Sequence, residues 1–137
     1  MSVDLKVSLQ NSAITACVFL VASLPQLYTK SNELLSENGS CPTYKSRLLH
    51  MLIFFGLIMM CLKYLAKSEK SWKDLLAYGL YASLLYFLFS SPDMFRLSNM
   101  VASGNIITVD DSCPTINGIM LHTVLYFVAL SGWSALV

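Results

Sequence analysis

Residues 112–122 read SCPTINGIMLH and lead into a long apolar segment. A near copy at residues 40–50 reads SCPTYKSRLLH, with six of eleven positions identical and the cysteines 72 positions apart (113 − 41 = 72). Another similar pair, 67 positions apart (92 − 25 = 67), reads SLPQLYTKSN at 23–32 and SSPDMFRLSN at 90–99. Because both pairs keep the same order, we interpret them as an internal duplication with a five-residue insertion in the second copy.

Four long apolar segments surround these repeated stretches. The chain of 137 residues is 55% hydrophobic and only 12% charged, with a mean hydropathy of +0.60, whereas soluble domains carry about a quarter of their residues as charges. A helix rises about 1.5 Å per residue, so roughly 20 residues cross a hydrocarbon layer of ~30 Å. A soluble bundle would need charged outer faces, which these segments lack. We predict four transmembrane helices, at about 12–28, 48–66, 75–91 and 116–137.

The duplication and the four segments together predict the domain organisation. Residues 1–66 form the first two-span unit and residues 67–137 form the second. A unit with two spans returns to its starting side, so its copy has the same orientation and is related to it by a pseudo-twofold axis along the membrane normal. The predicted fold is therefore an all-α membrane protein, a parallel tandem repeat of two-span units, with both Cys-Pro-Thr stretches on one side.

The Cys-Pro-Thr stretches are typical of helix starts. Proline lacks an N–H and has φ fixed near −65°, so it suits the first turn of a helix, and a preceding serine or the cysteine itself can cap that turn. Pro25 and Pro92, in contrast, are expected to end or kink the first and third spans. The two predicted helix-start motifs comprise Ser40, Pro42, Thr43, Ser112, Pro114 and Thr115.

The orientation follows from the basic middle loop, residues 63–74, which has four lysines and two acidic residues and so a net charge of +2. The positive-inside rule places this loop and both termini on the cytosolic side. The Cys-Pro-Thr loops then face the lumen, where Cys41 and Cys113 can form a disulfide if their Cα atoms lie within ~7 Å; otherwise each packs locally as a thiol. Asn38 lies in an Asn-Gly-Ser sequon for glycosylation in the first of these loops.

His50 and His122 each follow the cysteine of their motif by nine positions. Nine helical steps turn about 900°, so cysteine and histidine lie on opposite faces and do not form a chelating pair. We expect the histidines to make interhelical hydrogen bonds that fix how the repeats pack, with contact across the pseudo-axis open to them. The chain contains no C-x-x-C, H-E-x-x-H or G-x-S-x-G motif. We therefore expect no catalytic, cofactor-binding or metal site.

Residues 113–130, CPTINGIMLHTVLYFVAL, resemble a motif in small multipass membrane proteins of nucleocytoplasmic large DNA viruses. In that motif a Cys-Pro-Thr, a glycine and a Leu-His open a hydrophobic span. Gly118 stands where the glycine is expected, whereas the first copy has Ser46 there, between Lys45 and Arg47. The resemblance implies a structural component of the virion's internal membrane, which derives from a host membrane, and it implies capsid or minor capsid proteins as partners. It implies no reaction.

As an anchor of this kind, the chain would contact its partners through its loops. We expect the middle loop to contact capsid or anionic lipid, and no nucleic acid, through Lys63, Lys67, Lys70, Trp72 and Lys73. Helix contacts are expected at small residues and the histidines, the small residues being Gly56, Gly79, Ala82, Ser83 and Gly118. A duplicated channel or transporter is the alternative function, a membrane thiol oxidoreductase is a weaker one, and a homo-oligomer stays open.

Overall fold

The computed structural model describes residues 2–36, 41–65, 71–101, 109–110 and 113–136. In this part of the chain there are six α-helices, which are α1 (Ser2–Ala22), α2 (Pro25–Leu34), α3 (Tyr44–Met60), α4 (Trp72–Phe89), α5 (Pro92–Val101) and α6 (Ile116–Leu136). A π-helical turn, Cys61–Leu65, continues α3. The two-residue strands β1 (Val109–Asp110) and β2 (Cys113–Pro114) pair antiparallel before α6.

Two helices are long and apolar enough to cross a membrane. They are α1, over Leu5–Ala22, and α3 with its π-helical turn, over Tyr44–Leu65. Helices α4 and α5 meet at a bend of 64° and together make a third candidate, and the apolar part of α6, Ile116–Gly132, is shorter. The described part of the chain is thus mostly helical with two to three candidate spans.

The helix boundaries differ from the predicted spans at both prolines. Helix α1 begins ten residues before the predicted start at residue 12 and ends at Ala22, six residues before the predicted end at residue 28. Pro25 is the first residue of α2, and Pro92 is the first residue of α5. Both prolines therefore begin short helices, because the missing N–H costs nothing in a first turn. Hydropathy alone placed 23–28 in the span, although the break at Leu24 turns them away from it.

Threonine, the last residue of each Cys-Pro-Thr, caps the helix that follows. The Thr43 side chain accepts from the Ser46 N–H at 3.2 Å, while the Ser46 hydroxyl accepts from the Thr43 N–H at 2.8 Å, so two orphan donors are satisfied reciprocally. In the second copy the Thr115 hydroxyl accepts from the Gly118 N–H at 3.0 Å. The prediction that proline would occupy the first turn was wrong, since Pro42 and Pro114 precede it; Ser40 and Ser112 lie outside the described residues.

Four aromatic rings fill the centre of the bundle, one from each long helix. Phe19 stacks on Tyr126 with ring centroids 4.5 Å apart, and Phe54 stacks on Tyr86 at 4.7 Å. The edge contacts Phe19–Tyr86, at 5.5 Å, and Phe54–Tyr126, at 6.2 Å, close the cluster. All four side chains are fully buried. Phe19 and Tyr86 differ by 67 positions, and Phe54 and Tyr126 differ by 72. These are the two offsets of the repeat, so the pair Phe19–Tyr126 in one stack corresponds to the pair Tyr86–Phe54 in the other.

Small residues lie where the long helices of the two units pack closely together. Helix α1 of the first unit packs against α6 of the second, and α4 of the second packs against α3 of the first. On α4, Gly79, Ala82 and Ser83 are buried where α4 packs against α3. A Cβ at Gly79 would lie 3.0 Å from both the Met59 sulfur and a Phe55 ring carbon. Helix α1, which packs against α6, also has small residues at the equivalent positions. These residues are at most 6% exposed, and they are Ser12, Thr15 and Ala16. The helix contacts expected at the α4 residues are therefore present.

Gly118 and Gly56, the two other glycines predicted to lie at helix contacts, differ in burial. Gly118 is buried near the start of α6. Gly56 is exposed, and a Cβ added there would meet nothing within 4 Å. The prediction of a helix contact at Gly56 was wrong, because this face of α3 points outward from the bundle.

The surface of the long helices is apolar and part of the interior is polar. Large side chains stand exposed on every long helix, among them Leu52 at 66%, Leu84 at 65% and Val124 at 59%. The buried polar residues include Asn11, Ser12, Thr15, His50 and His122. In water such a surface would far exceed the apolar patches that monomeric proteins tolerate. The distribution suits a bilayer, where lipid covers apolar surface and polar groups bond inside the protein.

Candidate functional site

His50 joins three elements of the first unit. Its Nδ1 lies 2.9 Å from the Ala22 carbonyl oxygen at the end of α1, and its Nε2 lies 2.6 Å from the Ser31 hydroxyl on α2. The Tyr28 ring stacks on the imidazole, with centroids 4.0 Å apart and planes 11° apart. Because a carbonyl oxygen can only accept, Nδ1 carries the proton and donates; in the neutral ring, Nε2 then accepts from the Ser31 hydroxyl.

His122 has the same surroundings in the second unit. Its Nδ1 donates to the Phe89 carbonyl oxygen at 2.9 Å, its Nε2 lies 2.8 Å from the Ser98 hydroxyl, and the Phe95 ring stacks on it at 3.8 Å and 6°. Each partner lies 67 positions after its counterpart around the first histidine, and the histidines differ by 72. The repeat offsets read from the sequence therefore also relate the two sets of contacts.

These contacts revise the predicted role of the histidines. The interhelical hydrogen bonds are present, but their partners lie within the same unit and not across the pseudo-axis. Each histidine fixes the break at the proline, since it bonds both to the last turn of the first long helix and to the short helix after it. The histidines thus set the internal geometry of each unit, and the aromatic rings set how the units pack against each other.

The two Cys-Pro-Thr stretches are covalently joined in the structure. Cys41, before α3, and Cys113, in β2, form a disulfide with Cα atoms 4.8 Å apart, and they are 72 residues apart in sequence. The side-chain amide of Asn32, at the end of α2, donates to the Cys41 carbonyl oxygen at 2.9 Å. The bond crosses from one unit to the other on the side of the bundle where α2 and α5 lie. The other cysteines, Cys17 and Cys61, are free thiols.

Arg47 breaks the symmetry between the units, and its role was missed in the sequence. Its guanidinium lies 4.2 Å from the centre of the Phe87 ring and donates to the Phe87 carbonyl oxygen at 2.5 Å, with only 8% of the residue exposed. The position 72 residues later is the buried Ile119. The signal available was the charge itself, because an arginine so close to a span start is retained only where it finds partners.

Tyr28 adds a second asymmetric contact. Its hydroxyl lies 2.7 Å from the Tyr86 hydroxyl, whereas the equivalent residues of the other unit, Phe95 and Phe19, have no hydroxyl. Burial raises the pKa of Tyr28 above its ordinary value of 10.0, so the hydroxyl stays protonated and available as a donor at neutral pH. The first unit therefore holds the extra polar contacts between the halves.

The predicted contact loop is described only in part. Lys63 lies with its ammonium 5.0 Å from the centre of the Trp72 ring, and Trp72 is 58% exposed. Lys73 is exposed at the start of α4. Lys67 and Lys70, and also Asn38 of the predicted sequon, lie outside the described residues. The structure thus brings one lysine and the tryptophan of this loop together.

Among the described residues, no group of three or more histidine, cysteine, aspartate or glutamate side chains is placed to hold a metal ion. The contacts that the structure does show in this region are two histidine junctions, one disulfide, one buried arginine and a ring cluster. Comparison of the chain with protein-family models, with curated proteins and with solved structures gave no match.

Proposed function

We propose that the chain is a structural integral membrane protein with four spans, made by tandem duplication of a two-span unit. The spans are α1, α3 with its π-helical turn, α4 and α6. The observation that carries this proposal is the ring cluster, in which each of these helices contributes one fully buried aromatic side chain that contacts two of the other three. Because the offsets of 67 and 72 exchange the stacked pairs, duplication accounts for the core and for both histidine junctions together.

The disulfide supports one orientation in the membrane. Disulfides form and persist in oxidising compartments, so the Cys41–Cys113 side is assigned to the lumen. The basic loop 63–74 joins the other ends of α3 and α4, which assigns it to the cytosolic side together with both termini. Charge and redox chemistry therefore favour the same orientation.

The proposed role is to anchor the internal membrane of a large DNA virus to its capsid or minor capsid proteins. Support for the virion assignment comes from the resemblance of residues 113–130 to small membrane proteins of such viruses. The core suits an anchor, since rings and a disulfide hold the spans in one arrangement. On the cytosolic side, where a capsid would assemble, the exposed Trp72 and Lys73 and the cation–π pair of Lys63 present a basic, amphipathic surface.

Changing Lys63, Lys67, Lys70 and Lys73 to glutamine is expected to weaken binding of the reconstituted protein to purified capsid proteins at physiological salt. Each lysine near a charged surface contributes up to ~1 kcal/mol, so the loss should exceed tenfold. The measurement is co-flotation of capsid proteins with proteoliposomes. The matched variant with four arginines keeps the charge and should bind like the original. Unchanged binding of the glutamine variant would move the contact to the Cys-Pro-Thr loops and invert the orientation.

A duplicated channel or transporter is the alternative function, and it requires a polar path through the bundle. The centre of the bundle is instead occupied by the four aromatic rings. We expect proteoliposomes loaded with a potassium-sensitive dye to show the same ion flux as empty liposomes. A flux that rises in proportion to the amount of protein would favour the channel. The thiol oxidoreductase stays a weaker alternative, because the chain has no C-x-x-C motif and the bonded cysteines, Cys41 and Cys113, are 72 residues apart in sequence.

A further inference from the structure

An apolar groove runs along the outer face of the first unit, between α1, α2 and α3. Its volume is about 390 Å³, within the range of ~300–1,000 Å³ common for small-molecule sites. Its apolar lining includes Cys17, Val21, Leu27, Ile53 and Leu57. All five of these side chains are themselves exposed, and Val21, Ile53 and Leu57 belong to helices α1 and α3, which face lipid in the proposed membrane arrangement. The groove is therefore open to the hydrocarbon layer and not to water.

On the α1 side of the groove, three lining residues of the first unit are smaller than their equivalents in the second. Cys17 corresponds to Leu84, Val21 to Leu88 and Ala22 to Phe89 at the offset of 67. In the second unit the Phe89 ring packs edge-on against His122, with centroids 6.1 Å apart. In the first unit Ala22 leaves the corresponding flank of His50 to the groove. These three positions therefore have smaller side chains in the first unit, on the face of α1 that lines the groove.

One end of the groove is polar and basic. Lys30, Ser31 and His50 line it where α2 crosses the end of α1. The Ser31 hydroxyl and both ring nitrogens of His50 are already engaged in the histidine junction. The exposed ammonium of Lys30 is a cation at the level where the first long helix ends, and its counterpart in the second unit is Leu97. A charge and an apolar groove therefore occur together in the first unit, and the position equivalent to the charge is apolar in the second unit.

We propose that this groove binds one acyl chain of an anionic glycerophospholipid, whose phosphate pairs with Lys30. The apolar lining matches a hydrocarbon chain, and the ammonium lies at the end where the headgroup of a lipid in the lumenal leaflet would lie. The inference rests on the membrane embedding in the proposed function and is independent of any capsid partner. It assigns lipid binding to the outer face of the first unit.

Native mass spectrometry of the protein in detergent tests this assignment, with phosphatidylglycerol and phosphatidylcholine of identical acyl chains as probes. We expect one phosphatidylglycerol to bind about fivefold more tightly than phosphatidylcholine, because the choline ammonium of phosphatidylcholine offsets the attraction between its phosphate and Lys30, whereas phosphatidylglycerol keeps a net negative charge. The variant Lys30→Leu, which carries the residue of the second unit, should bind both lipids alike. The variant Cys17→Leu/Val21→Leu should lose the bound lipid of either headgroup, because the larger side chains fill the groove.

Two control variants and a fold readout keep the result interpretable. Lys6→Leu removes an exposed lysine near the opposite end of α1, and Val124→Leu enlarges an exposed side chain on α6. Both should bind lipid like the original chain. Every variant is first checked for the intact disulfide and an unchanged unfolding transition. Equal binding of the two lipids by the original chain, or undiminished binding by the filled variant, would overturn the proposal. Topology and capsid binding are measured separately, so a failure here is distinguishable from failure of the proposed function.

Discussion

Replacing both Cys41 and Cys113 by alanine is expected to lower the free energy of unfolding by about 4 kcal/mol. The bond closes a loop whose ends are 72 residues apart, and the chain-entropy estimate for a loop of that length is of this size. The bond also crosses between the units, so its loss lets them separate once the core loosens. Equilibrium unfolding in mixed micelles of mild detergent and dodecyl sulfate, followed by circular dichroism, measures the change.

The free cysteines provide the matched control for this experiment. Cys17→Ala/Cys61→Ala removes the same number of sulfurs without a cross-link, and it should shift the transition by no more than about 1 kcal/mol. Adding reductant to the original chain should reproduce the effect of the Cys41/Cys113 variant. If reductant leaves the unfolding transition where it was, the two cysteines do not join the units in the membrane protein.

Gly79→Leu is expected to give the second large effect, a loss of about 1–3 kcal/mol from overpacking. A Cβ there already lies 3.0 Å from the Met59 sulfur and from a Phe55 ring carbon. The further atoms of leucine must separate α4 from α3 or displace both side chains. The same detergent titration measures the loss, and intramolecular proximity of α3 and α4 can be followed by energy transfer between dyes.

Gly56→Leu makes the same chemical change on the outward face of α3. A Cβ at Gly56 meets nothing within 4 Å, and leucine has a helix propensity better than glycine by up to ~1 kcal/mol, so this variant should be as stable as the original or slightly more so. Equal destabilisation by both substitutions would mean that Gly79 does not face α3. Sequence alone had grouped these two glycines together.

The order of elements could be read from the sequence because it depends on local composition. Long charge-free segments predict helices, and the repeated Cys-Pro-Thr marks where α3 and α6 begin. The ends of α1 could not be read in the same way. Polar residues such as Asn11 and Ser12 lie buried within this helix, so a boundary drawn by hydropathy starts too late. The break at Pro25 is visible as a proline, but whether it ends a helix or begins one depends on how the chain packs around it.

The partners of the candidate residues depend on packing that the sequence does not specify. The duplication correctly indicated that His50 and His122 are equivalent, and the structure gives them equivalent contacts. The duplication alone does not show whether a histidine bonds within its own unit or across the pseudo-axis, because both arrangements are compatible with the same twofold symmetry. Gly56 and Gly79 show the same limit, since helical spacing gives relative faces but not which face is inside. The role of Arg47 could not be predicted from the sequence, because it depends on the Phe87 ring that covers the guanidinium.

Topology labelling tests directly whether the two units lie in the same orientation. Single cysteines are introduced as Asn38→Cys, Lys70→Cys and Asn105→Cys in a chain with alanine at positions 17 and 61, with the Cys41–Cys113 bond verified in each. An impermeant maleimide is then applied to sealed microsomes and to opened ones. We expect positions 38 and 105 to react only in opened microsomes and position 70 to react in sealed ones. Labelling of positions 38 and 105 from opposite faces would contradict the parallel duplication.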